Sequence, residues 1–202
     1  IADLKHRLRN TRWVDDPYHP YWDVGPPPAF VHSLCDYWLN SFDWRKLESD
    51  INQYSQITME IDGVSVYAIH QRSTRPEAVP IILIHGWPGA FLEYLELIDL
   101  LAEPTGDGPA FHVVVPCLPG YGFSTTKPGV APQKIARYFD VLMSSLGYSG
   151  YMAQGGNWGS LIGTEMARQF PEKVLGLHLS SITGSAAEDG LARVAEAEKE
   201  WI

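Results

Sequence analysis

The feature that most constrains this chain is a change of grammar at Ile57. From there "ITMEIDGVSVYAIH" alternates apolar and polar residues around Asp62 and Gly63, a pair that signals a tight two-strand hairpin. Strand and helix patterns then alternate. "VPIILIH" reads as a short buried strand, and in "FLEYLELIDLLA" the residues Phe91, Leu92, Leu95, Ile98 and Leu101 recur at helical spacing. "FHVVVPCL" is the next strand, and "QKIARYFDVLMSSLG" a helix that Gly147 closes. "GYMAQ" is a short strand, "WGSLIGTEMARQF" a helix ending before Pro171, and "VLGLHLS" a further strand. A hairpin followed by such alternation predicts an α/β fold: a mostly parallel sheet with helices on both faces. Ligands of such sheets gather at the carboxyl ends of the strands.

Composition narrows the function classes. A hydrophobic fraction of 45% over 202 residues suits a folded chain with one substantial core. Twenty-four acidic residues against fifteen basic give a net charge of −9, and Lys and Arg form no long runs, so a nucleic-acid partner is not expected. A small neutral or apolar ligand fits this balance better. Only Cys35 and Cys117 occur, far from metal-ligand or redox spacing, and both are expected as free buried thiols, with no metal and no cofactor. The longest apolar runs fall short of the roughly 20 residues of a membrane span, and "IADLKHRLRNTRW" is too charged for a signal peptide. A soluble, cytoplasmic protein is expected.

The first fifty residues read differently. "IADLKHRLRNTRW" and "FVHSLCDYWLNSFDW" have helical spacing, whereas Pro26 to Pro28 exclude a regular element between them. Trp13, Trp22, Trp38 and Trp44 mark a segment expected to pack on a larger body. The predicted organisation is a helical and irregular segment at 1–55, an α/β core at 56–184, and at 185–202 the start of a helical element that would cover the site.

Three glycine-rich turns follow predicted strands: "HGWPG" at 85–89, "PGYGFS" at 119–124 and "GGNWG" at 155–159. The last lies between a short strand and a helix, as a nucleophile elbow must, so its central side chain would project into a site at a helix N-terminus. That central residue is Asn157, a neutral amide and a poor nucleophile. Singly, each turn has a plainer reading; His85 alone would more often be a structural histidine than a catalytic one. Three such turns at successive strand ends, in this order, are harder to derive from packing.

On these motifs the chain resembles the epoxide hydrolases of the α/β-hydrolase superfamily, of the microsomal and juvenile-hormone type. It has their "HGWPG", their "PGYGFS", a near match to their "QGGDWGS" elbow, the trailing "GLHL" strand and the "TRW" of their N-terminal segment. The resemblance implies an α/β-hydrolase fold preceded by that segment. It implies an apolar epoxide substrate, water, and no cofactor. An elbow carboxylate would open the epoxide to give an ester, tyrosines of a helical cap would bind the epoxide oxygen, and a histidine paired with an acid would direct water at the ester. It further implies that the backbone N–H groups of Trp87 and Trp158 hold the oxyanion, and that Trp87, Trp158, His85, Gly86 and Pro88 line the substrate pocket.

Two departures bear on activity. Asn157 stands where that family has Asp, and its near-isosteric amide should preserve the elbow while disabling the first step. The cap tyrosines, the histidine and its acid are expected in a further C-terminal part of the same protein, beyond residue 202; His70, His112 and His178 are candidates only by residue type. Asn157 has three explanations: a deliberate substitution, a natural inactive relative, or a precursor that hydrolyses to Asp. Competing readings are a haloalkane dehalogenase, which also uses an elbow Asp, and a non-catalytic ligand-binding relative. A serine esterase fits poorly, because Ser160 lies three positions past the elbow. A homo-oligomer is left open.

Overall fold

The computed structural model describes residues 1–14, 22–23 and 25–182, so the predicted element at 185–202 lies outside the described residues. The chain divides into two compact units, Ile1–Ile51 and Asn52–Ile202.

The first unit carries three helices, α1 (Ala2–Arg9), α2 (Pro28–Asn40) and α3 (Trp44–Ile51). In α1 the acidic Asp3 lies in the first turn and Arg7 and Arg9 in the last, which complements the helix dipole. The start of α2 corrects the reading of the three prolines: Pro26 and Pro27 precede it, but Pro28 is its first residue. Proline is tolerated there because the missing N–H has no intrahelical acceptor anyway, and its fixed φ suits the first turn. Asp43 caps α3 by accepting from the backbone N–H of Arg45 at 2.9 Å and of Lys46 at 3.2 Å. Trp13 stacks on His32 with ring centroids 3.8 Å apart. Cys35 is half-buried rather than buried; Cys117, in the second unit, is fully buried, and both are free.

The second unit opens with the predicted hairpin, β1 (Gln56–Ile61) and β2 (Val64–Gln71). Asp62 at φ 52° and Gly63 at φ 73° supply the two positive φ values that a tight turn matching the strand twist requires. There follow β3 (Val79–Ile84), α4 (Leu95–Ala102), β4 (Phe111–Pro116), α5 (Pro132–Ser145), β5 (Tyr151–Gly155), α6 (Trp158–Gln169) and β6 (Val174–Leu179). The helix expected from Phe91 begins instead as a 3-10 turn, Phe91–Tyr94, before α4. Its i,i+3 repeat puts Phe91 and Tyr94 on one side, and both are buried. Gly147, at φ 90°, ends α5 as expected, with its N–H on the Ser144 carbonyl and that of Tyr148 on the Met143 carbonyl.

The sheet order is β1-β2-β4-β3-β5-β6, with β4, β3, β5 and β6 mutually parallel and the hairpin antiparallel at one edge. On one face Ile82, Ile84, Val114 and Ala153 pack with Phe139, Leu142 and Met143 of α5 and Ile162 and Met166 of α6. Each Val, Leu, Ile, Phe or Met side chain among them contributes roughly 1.5–3 kcal/mol on burial. Strand alternation turns Leu83, Val113 and Val115 to the other face, the one on which α4 packs with its buried Ile98 and Ala102. From β3 the chain crosses to β4 on one side and later returns to β5 on the other. That reversal opens a crevice at the carboxyl ends of β3 and β5, the switch point of such sheets.

Candidate active site

At the end of β5 the chain turns through Gly155, Gly156 and Asn157 into α6. Asn157 sits at φ 52°, ψ −122°, a backbone conformation that costs a non-glycine residue about 1–3 kcal/mol. The turn is tight enough to require the flanking glycines. A Cβ on Gly155 would meet the Gly159 carbonyl oxygen at 2.2 Å, and one on Gly159 would meet that of Ile84 at 2.0 Å. The elbow is therefore wedged against the end of β3, and the backbone N–H of Asn157 donates to Ser181 Oγ, past β6, at 2.9 Å.

The HGWPG turn faces the elbow. Trp87 donates its backbone N–H to Asn157 Oδ1 at 2.9 Å, and Gly86 lies so close that a Cβ there would meet Asn157 Cβ at 2.6 Å. The Trp87–Pro88 bond is cis. Trp158 is the first residue of α6, where a backbone N–H has no intrahelical acceptor. Two backbone donors thus belong to the turn and helix end that enclose the elbow side chain, and one already lies on its oxygen. An oxygen of a tetrahedral centre at this position would inherit that donor.

A cavity of about 790 Å³ opens beside the elbow. Of the five residues expected to line a pocket, Gly86, Trp87 and Pro88 border this cavity, as does the elbow residue Asn157. Two do not. Trp158, 43% exposed, is not among the lining residues. His85 is fully buried behind the turn. Its Nε2 accepts the backbone N–H of Leu118 at 3.0 Å, so the proton belongs on Nδ1, which faces the Gly86 carbonyl at 3.2 Å. Burial lowers its pKa, with the Gly86 carbonyl acting in the opposite direction. The histidine ties the HGWPG turn to the chain leaving β4.

PGYGFS is likewise scaffold. Tyr121 packs edge-on to His85 at 5.3 Å, while Ser124 accepts from the Tyr67 N–H at 3.0 Å and donates to the Cys117 carbonyl at 3.1 Å. His70, His112 and His178 do not line the cavity. His70 and His112 instead flank Tyr148, with His70 Nε2 2.7 Å from its hydroxyl.

The sequence reading missed Glu93, Tyr94, Gln154, Ser180 and Ser181, which complete most of the lining. A signal existed for three of them. Gln154 ends a predicted strand, and Ser180 and Ser181 follow the last one, at the carboxyl edge where ligands gather. Tyr94 donates to the Ile84 carbonyl at 3.1 Å; burial first, then the charge of Glu93, pushes its pKa up to about 12. Burial also raises the pKa of Glu93. Among the described residues no group of three or more His, Cys, Asp or Glu is placed to hold a metal ion.

Residues 79–201 match the family described as alpha/beta hydrolase fold, and residues 1–94 match the epoxide hydrolase N terminus. The chain is 37% identical over 190 residues to epoxide hydrolase 1 of Sus scrofa, an alignment covering 89% of this chain and 42% of that protein. It is similar to the solved structure of the Aspergillus niger epoxide hydrolase, with a TM-score of 0.82 at 33% identity over 98% of this chain and 54% of the other. The juvenile hormone epoxide hydrolase of the silkworm Bombyx mori gives 0.81 at 34% identity, over 88% and 49%. The chain therefore belongs to the α/β-hydrolase fold family, in its epoxide-hydrolase branch with this N-terminal segment. It spans about half the length of these relatives.

Proposed function

We propose that this chain is the nucleophile-bearing part of an epoxide hydrolase, in which residue 157 is the site of the covalent ester and Asn157 blocks its formation. The observation that carries this reading is the elbow itself: a side chain held at φ 52° with its oxygen on the Trp87 N–H at 2.9 Å. With Asp at this position, one carboxylate oxygen would keep that bond. The other would attack an epoxide carbon, the C–O bond would break, and the ring oxygen would leave as an alkoxide to be protonated. Water adding to the ester carbonyl would build negative charge on the oxygen beside Trp87 N–H, where a preorganised donor stabilises it most. Release of the alcohol oxygen then gives a vicinal diol and regenerates the carboxylate. An amide lacks the charge for the first attack but keeps the shape of the site.

Diol formation by the full-length protein, with Asn157 and with Asn157→Asp side by side on a panel of epoxides, tests this. Turnover confined to the Asp form is expected. Two folded proteins that both fail to form diol would put a ligand-binding relative in its place.

A further inference from the structure

A backbone conformation like that of Asn157 persists only where its surroundings hold it in place. On the helix side the ties are main-chain ones: the Ser160 N–H donates to the Asn157 carbonyl at 3.0 Å, and the Gly159 N–H to the Gly156 carbonyl at 2.8 Å. The second of these holds one end of the peptide that joins residues 156 and 157. A carbonyl accepts over a broad arc, so that tie by itself lets the peptide pivot. Residue 156 adds little stiffness, being a glycine because a Cβ there would collide with Ser180 Oγ. What holds the other end is a side chain. The Asn157 N–H precedes the helix, where it has no intrahelical acceptor, and donates to Ser181 Oγ at 2.9 Å.

The Ser181 hydroxyl is itself aimed. Ser160, buried on α6, donates its single hydroxyl proton to the Gly155 carbonyl at 2.9 Å, so in its 3.3 Å contact with Ser181 Oγ it accepts. The Ser181 proton therefore points at Ser160, and a lone pair faces the Asn157 N–H. The relay runs from Asn157 through Ser181 and Ser160 to Gly155, so it begins and ends in the elbow. We propose that Ser181, with Ser160 behind it, is a positioning residue for the nucleophile. By fixing the N–H of residue 157 it keeps one side-chain oxygen on the Trp87 N–H and, in the Asp form, the other directed at the epoxide. This rests on the reading of residue 157 as the ester site. Both hydroxyl protons are engaged within the relay, so neither serine serves as nucleophile or acid, and both act through the backbone. Misplacing a reacting group by about 1 Å costs on the order of 100-fold in rate, and the pivot of one peptide is a fraction of that.

The test uses the full-length protein carrying Asn157→Asp and follows ester formation by quenched-flow intact mass at rising epoxide concentration. Adding Ser181→Ala should lower the maximal rate about tenfold, while the half-saturating concentration stays within about twofold because the rest of the cavity wall is untouched. Ser181→Thr, which keeps the acceptor oxygen, should restore the rate to within about threefold. Ser160→Ala, which frees the Ser181 hydroxyl to rotate, should lower it by less than Ser181→Ala does. An unchanged maximal rate in Ser181→Ala overturns the proposal, and so does a loss that Ser181→Thr fails to restore. If the Asp form makes no ester with any epoxide, the catalytic reading fails, and positioning is read on the full-length protein with Asn157. There the Trp87 amide, followed by NMR on protein labelled at tryptophan, should exchange with solvent about tenfold faster in Ser181→Ala, as the Asn157 oxygen leaves it, and at its original rate in Ser181→Thr. A Trp87 exchange rate indifferent to Ser181→Ala overturns the positioning role by itself.

Discussion

Asn157 and its neighbours show which residues declare their role in sequence and which do not. Glycines at 155 and 159 were legible because a backbone that passes within 2.0–2.2 Å of a would-be Cβ leaves no other choice, and the spacing records it. Gly159→Ala should therefore cost at least about 2 kcal/mol, read as a shift in denaturation midpoint; an unchanged midpoint would mean that the elbow is not wedged on β3. Asn157→Asp is the opposite case, because the Trp87 N–H can donate equally to an amide or a carboxylate oxygen. The melting temperature should stay within a few degrees, while intact-mass measurement on the full-length protein treated with an epoxide should show the ester adduct only in the Asp form. His85 was not legible. Whether a histidine at a strand end faces a cavity or the core depends on how the next turn bends, and here it bends so that Nε2 meets the Leu118 N–H. His85→Ala would leave that N–H buried and unpaired, and a loss of about 1–3 kcal/mol is expected by chemical denaturation.

At the scale of elements, the strands and helices from Gln56 onward were legible because alternation, apolar runs and caps such as Gly147 are local signals. What escaped was set by contacts across elements: the 3-10 turn at Phe91–Tyr94 follows the burial of both aromatics, and nothing near His70 in the chain announces Tyr148. Where β2 and β4 meet α5, His70 lies against Tyr148, His112 stacks on the same ring at 5.9 Å, and Arg72 sits 5.7 Å above it. His112 must keep Nδ1 free of a proton, because the Ser73 N–H donates to it at 3.1 Å. Burial first, then Arg72 and His112, pushes the pKa of His70 down from 6.5 to about 4. The folded state thus binds this proton less readily than the unfolded chain. The contribution is whole above pH 6.5 and is lost as the pH falls toward about 4, with a slope on the order of 1 kcal/mol per pH unit. Denaturation midpoints between those two values should show the slope, and His70→Gln should flatten it. A slope unchanged in the variant would assign the acid sensitivity to other groups.

At the scale of the whole molecule, the parallel sheet was legible from strict alternation, but the strand order was not. No residue in β3 states that β4 lies on one side and β5 on the other, and the crevice that receives Asn157 exists only because of that order. The same order leaves β6 with β5 as its one strand neighbour among the described residues. A strand edge of this kind offers a row of unpaired N–H and carbonyl groups, and β6 adds Leu175 at 65% and Leu177 at 38% exposure. Polar protection is slight: His178 is the only polar side chain in the strand. The 202-residue polypeptide by itself should consequently self-associate through β6 at concentrations on the order of 0.1 mM, where exposed edges meet often enough to pair. Sedimentation velocity should show the association weaken in Leu175→Lys and Leu177→Lys, because a charge on each exposed position repels the same strand of a second copy. Monomer throughout, or association indifferent to both substitutions, would show that the edge is blunted by the twist of the sheet alone.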